Sequence, residues 1–267
     1  MAVSLRSSIA KRRSHLNAAL TVFSKVLKLS NCWICNAPAN SGEHIVKKSD
    51  LKQMFPEIVN QQSPIYHRKN GEQKRPIGSL NAEALKYEKS ICSNCNGGLT
   101  QRHDESWRTL SNTLMSLGRQ RCSTVDLNKV FPSSVYQCVI NVQLFFAKLF
   151  GCKAIESGLD VDLTCTASSI VNNDAHPNIY LKFRHSDNGK SASYCAVSDF
   201  EVFHDKHGRL IYAHFYYTVG EYTVDVLYSE NVEDLDMKGY FKPDQTITSF
   251  ELCEVDYLQG FSEQKNS

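Results

Sequence analysis

A chain of 267 residues can bury one large core or two modest ones, and it is too short for three ordinary domains. With 42% hydrophobic and 22% charged side chains and no low-complexity tract, the composition is that of a globular protein, and the reading is α+β in two domains, 1–130 and 131–267. The net charge of +2 conceals a division: residues 1–160 carry 22 Lys+Arg against 11 Asp+Glu, a net +11, whereas 161–267 carry 8 against 17, a net −9.

In chain order, residues 4–29 place Leu5, Ile9, Leu16, Leu20, Phe23, Val26 and Leu27 near a helical period, with Arg6, Lys11, Arg12, Arg13, Lys25 and Lys28 mostly between them. This predicts an amphipathic basic helix, and so one-sided a run suits a polyanion partner, with a merely solvated basic face as the equal alternative. A short helix is expected around Asp50–Met54, then a long polar loop containing Pro64, Gly71, Pro76 and Gly78, then a second helix from about Asn96 to Leu117. Pro132-Ser133-Ser134 opens a third helix, apolar on every side from Val135 to Phe150, which should be buried and end near Gly151. Gln137, Asn141, Gln143 and Lys148 within it speak against a membrane span.

From about Asp160 the pattern changes to short β-rich runs at 161–166, 178–183, 193–203, 209–219, 222–228 and 247–255, which predict an antiparallel meander. His204-Asp205-Lys206-His207-Gly208 and Asp187-Asn188-Gly189 carry the turn signals, and the two histidines of the first read as turn residues rather than metal ligands.

Ten cysteines without a secretory signal pattern read as reduced thiols, and the expected location is cytoplasmic. Cys122, Cys138, Cys152, Cys165, Cys195 and Cys253 stand without close partners, as small hydrophobes do. The other four form two knuckles, Cys32-Trp33-Ile34-Cys35 and Cys92-Ser93-Asn94-Cys95, which together supply four thiolates for a structural tetrahedral Zn²⁺.

Between the knuckles lies Gly42-Glu43-His44-Ile45-Val46, and directly after Cys95 comes Asn96. The order Cys-x-x-Cys, acid-His, Cys-x-x-Cys-Asn over roughly residues 30–110 resembles the HNH (His-Me finger, ββα-metal) endonucleases, most closely the zinc-stapled endonuclease VII type. The resemblance implies a ββα-metal module in which His44 is the general base, while Glu43 and Asn96 hold one catalytic Mg²⁺ or Mn²⁺. It implies a DNA substrate, with RNA left open, and products bearing a 5′ phosphate. The sequence departs from the pattern in having Glu43 where Asp is usual and Lys47 where a proline is common; Asn81 is a candidate for the family's central asparagine by position alone.

Adjacent Glu43 and His44 on a strand would leave opposite faces, so serving one ion requires a bent backbone, for which the zinc would supply rigidity. Asn96, one residue past a zinc ligand, is expected at the start of a helix whose free N–H groups suit a phosphate. Arg102, His103, Lys47 and Lys48 are candidate nucleic-acid contacts, with solvated surface as the alternative, and Trp107 is expected in the core. The acidic C-terminal part is expected to serve a protein partner or a homodimer. The resemblance also loosely implies an antiviral-defence effector, and the rival reading is a zinc-stapled binding module without catalysis.

Overall fold

The computed structural model describes residues 31–57, 59–69, 72–117, 123–185 and 194–254. The expected basic helix at 4–29 and the Asp187-Asn188-Gly189 turn lie outside them.

The short helix forms as α1, Lys48–Met54. The polar stretch after it is not wholly irregular: β1, Ile65–His67, pairs antiparallel with β2, Arg75–Ile77. After a wide π-helical turn at Asn94–Leu99, α2 spans Gln101–Leu117. β3, Thr124–Asp126, leads into α3, Leu127–Val130. The apolar helix, α4, is Val135–Ser157, and α5 is Thr164–Asn172. The strands that follow are β4 (Ile179–His185), β5 (Cys195–Val197), β6 (Glu201–His204), β7 (Leu210–Val219), β8 (Tyr222–Tyr228), β9 (Ser249–Glu251) and β10 (Cys253–Glu254). The mixture of helices with mainly antiparallel sheet is α+β.

The main sheet runs β10-β4-β8-β7-β5, with β6 also on β7. β7 and β8 form its centre, and β8 is buried at every position, its one carboxylate, Asp225, being met by the Arg184 guanidinium at 2.6 Å. It is not a pure antiparallel meander: β10 returns parallel to β4, and β9 leaves the sheet to pair with β3. The β6–β7 hairpin closes at the expected place, where Asp205 accepts the N–H groups of His207 and Arg209.

Two helices differ from expectation. Residues 161–166 do not form a strand; the Asp162 carboxylate accepts the Thr164 N–H and starts α5, whose buried Thr166, Ser169 and Ile170 follow helical spacing. α4 passes straight through Gly151 to Ser157, and Gly151 is needed there for a different reason. A Cβ at this position would collide with the Trp33 indole, so its bare Cα is the seat on which the first knuckle rests.

One contiguous set of buried side chains extends from Cys32 to Leu252 and crosses the 130/131 position expected to divide two domains. Trp107 lies at its centre with no exposed surface, stacked on Phe145 at 5.4 Å and edge-on to Phe146 and Tyr217. Beside it the buried carboxylate of Asp50 accepts from Trp107 Nε1 (2.8 Å), Ser111 Oγ (2.8 Å) and Tyr217 OH (2.6 Å), tying α1 to α2 and to β7. The Tyr217 hydroxyl in turn accepts the Lys47 N–H at 2.9 Å. α4 is long and apolar enough to cross a membrane, yet 89% of its most hydrophobic window is buried within the protein.

His103 and His176 are both fully buried, and burial holds each well below the ordinary histidine value, at about 4. The unfolded chain therefore binds more protons than the folded one between about 4 and about 6.5, and stability rises with pH through that window. Acidification from pH 7.5 to 4.5 should cost about 2–3 kcal/mol per histidine, read as a fall in the urea midpoint. His176→Asn should remove about one proton from the uptake on unfolding.

Candidate functional site

The first knuckle is a tight loop. Asn36 N–H donates to the Cys32 carbonyl at 2.8 Å, Cys32 N–H to the Ala37 carbonyl at 2.6 Å, and Asn36 adopts the left-handed conformation that asparagine tolerates. In the second knuckle Cys95 N–H points at Cys92 Sγ (3.3 Å), a thiolate-directed donor of the sort such turns supply. The Sγ atoms of Cys32, Cys35, Cys92 and Cys95 all lie within 4.8 Å of one another, with Cys35 and Cys92 at 3.6 Å. Four sulfurs at such separations suit tetrahedral zinc, with bonds of about 2.3 Å, and this is the one such cluster among the described residues. Burial and then the neighbouring thiols push Cys95 well above the usual thiol range. Of the lone cysteines, Cys152 is fully buried while Cys165 is exposed.

Residues 41–45 run from the first knuckle antiparallel to 85–91, which lead into the second. Ser41 N–H bonds to the Ile91 carbonyl (2.9 Å), Tyr87 N–H to the Glu43 carbonyl (2.8 Å) and Ile45 N–H to the Leu85 carbonyl (2.9 Å). Gly42 permits the close approach, since a Cβ there would strike the Tyr87 carbonyl oxygen. The zinc-ligand cluster therefore closes one end of a narrow two-stranded ribbon that carries Glu43 and His44.

On such a ribbon neighbouring side chains take opposite sides. Glu43 turns inward, 3% exposed, and its carboxylate sits 2.9 Å from the ammonium of Lys148, which is wholly buried on α4. Lys148 also contacts Asp104 at 3.0 Å, and Asp104 pairs with Lys47, giving an alternating chain Glu43–Lys148–Asp104–Lys47. Burial alone would lower the Lys148 pKa, but the two carboxylates outweigh it and hold it above the ordinary lysine range.

His44 is half-buried on the other side, with Nε2 3.0 Å from the Leu80 carbonyl oxygen. A carbonyl only accepts, so Nε2 carries the proton and Nδ1 keeps its lone pair. Burial lowers the His44 pKa, which keeps the imidazole neutral.

No protein-family model, curated protein or solved structure matches this chain.

The four cysteines are thus brought together, whereas the expected divalent-ion pair is not. Glu43 is already neutralised by an ammonium, and Asn96 donates its amide to Ser41 Oγ (2.9 Å) and, at 3.4 Å, to the Gly42 carbonyl, with its oxygen free of hydrogen bonds to the described residues. Asn96 lies in the first turn of the π-helix Asn94–Leu99, one residue past a cysteine of the cluster as expected, but its N–H is already taken by the Cys92 carbonyl at 2.9 Å. The residues as arranged do not fit Mg²⁺ or Mn²⁺ shared between Glu43 and Asn96. Of the candidate nucleic-acid contacts, His103 is a core residue bonded to Asn173 Oδ1 (2.8 Å), which rules it out as a surface contact. Lys47 is occupied by Asp104, Lys48 donates to Asn81 Oδ1 at 2.6 Å in the open, and Arg102 is exposed. Lys148 and Asp104 were missed in the sequence, although a lysine inside the largely apolar run from Val135 to Phe150 was a signal.

The purified protein should hold one zinc per chain by elemental analysis. Cys95→Ala, 1% exposed in the parent, should lose it and with it about 3 kcal/mol or more of unfolding free energy.

Proposed function

We propose that the zinc-stapled half hydrolyses phosphodiester bonds in DNA, with His44 as the general base. The observation that carries the reading is the anchored imidazole: Nε2–H is fixed on the Leu80 carbonyl and the free lone pair lies on Nδ1. In that tautomer Nδ1 takes a proton from a water molecule as its oxygen attacks phosphorus, the bond from phosphorus to the 3′ oxygen breaks, the leaving oxygen takes a proton from solvent, and the resulting imidazolium is steadied by its hydrogen bond to the carbonyl. The ribbon fixes where the ring stands, and the knuckles fix the ribbon, which is the pre-organisation such a base needs. The antiparallel ribbon followed by α2 also agrees with the outline of the nucleases that the motif order resembles. Lys48 and Arg102, both cationic and accessible, are the side chains best disposed to meet phosphates. The nuclease could act as an antiviral effector in the cytoplasm, a role resting on the resemblance alone.

Cleavage of plasmid DNA by the wild type in Mg²⁺, in Mn²⁺ and in chelator is the direct test, beside His44→Ala. The expected result is cutting by the wild type and at least a hundredfold slower cutting by the variant, with zinc content equal. Equal rates would sink the assignment of His44.

The pairing of Glu43 with Lys148 favours a second reading, a zinc-stapled binding module without catalysis, because a carboxylate held by an ammonium is not offered to a divalent ion. On that reading the wild type holds zinc and cuts under no condition. On either reading Lys148→Met strands a buried Glu43 carboxylate, and chemical denaturation should show a loss of about 3–5 kcal/mol.

A further inference from the structure

A cavity of about 500 Å³ lies where the His44 ribbon, β1 and the edge strand β5 meet. Its walls are mostly apolar, with Val46, Leu51, Phe55, Ile65, Tyr87 and Val197 among them, and its size falls in the range of small-molecule sites. Lys153 of α4 also lines it, and that side chain is only 8% exposed. Its ammonium lies 5.1 Å over the Phe200 ring and makes no ion pair or hydrogen bond with a described residue. Glu156, the nearest acid along the helix, is spent on Lys69 Nζ (2.8 Å) and the Glu88 N–H (2.9 Å). The contrast with Lys148, buried on the same helix and saturated by two carboxylates, is plain. No carboxylate of the described residues is in contact with that ammonium, and burial of the side chain lowers the Lys153 pKa against the pull of Asp199 and Glu156, which also line the cavity.

We propose that this cavity binds a small anion with a flat apolar body, whose carboxylate or phosphate pairs with the Lys153 ammonium while the body lies among Phe55, Ile65 and Tyr87. The apolar walls supply burial and the one unmatched cation supplies orientation, the division of labour usual in such sites. Nothing in the proposal depends on His44 being catalytic.

Isothermal titration with 1-naphthoate and 1-naphthyl phosphate tests it and separates the two head groups, with neutral 2-naphthol as control. The wild type should bind at least one anion, and Lys153→Met, which keeps the side chain's hydrocarbon stem, should bind it at least tenfold more weakly. Ala196→Trp, on the exposed side of β5 and lining the cavity, should block binding without altering charge or the zinc content. Should Lys153→Met fail to fold, Ala196→Trp decides. Binding of neither anion by the wild type, undiminished binding by Ala196→Trp or by a folded Lys153→Met, or 2-naphthol binding as tightly as the anions, would overturn the proposal.

Discussion

The ammonium of Lys148 is the interaction on which the rest depends. Glu43 from the ribbon and Asp104 from α2 both reach it and offset the cost of placing a wholly buried charge on a largely apolar helix. Satisfying that one group fixes the ribbon against α4, fixes α2 against both, and through Asp104 draws in Lys47 at the start of α1. Asp50 then repeats the device with hydrogen bonds in place of ions, binding α1 to Trp107, Ser111 and Tyr217. Between them, these two buried polar centres connect the knuckle region to the sheet.

The same geometry sets what the ribbon can present outward. With Glu43 committed inside, His44 is the titratable side chain of the pair left on the partly open side, and its ring is held by a carbonyl rather than by a carboxylate. The carbonyl fixes the tautomer and, with the Glu43 charge, raises the ring's basicity, but burial outweighs both and holds the His44 pKa below the ordinary value.

Much of the fold was legible because it follows from local rules. The β-branched and aromatic residues of β8, the Asp205 turn and the largely apolar α4 each carry their own explanation within a few residues. The four cysteines were legible too, since zinc demands thiolates in close pairs and the spacing shows them. What was not legible required contacts across the chain. Gly151 reads as a helix stop until Trp33, 118 residues earlier, is found lying against it. Residues 161–166 have β-branched composition, and only the Asp162 cap and the buried spacing of α5 decide for a helix. His103 sits among polar neighbours in sequence, yet its place on α2 turns it to Asn173 and the core. Glu43 looked like a metal ligand because its intended partner, Lys148, is 105 residues away.

Lys148 and Gly151 stand three positions apart on α4, which places them on one face of the helix. One receives Glu43 and the other receives Trp33, so the segment between the first cysteine and the histidine is keyed to the helix at two points a single turn apart. A two-point key of this kind resists transplantation: the stapled segment could not be moved to another scaffold as a cassette, because the scaffold would have to offer a buried cation and a bare Cα in the same register. Inserting two residues between the two positions would set them roughly 140° apart, on different faces of the helix. The stapled segment and its supporting helix are therefore constrained as a pair: a change at either contact has to be answered at the other.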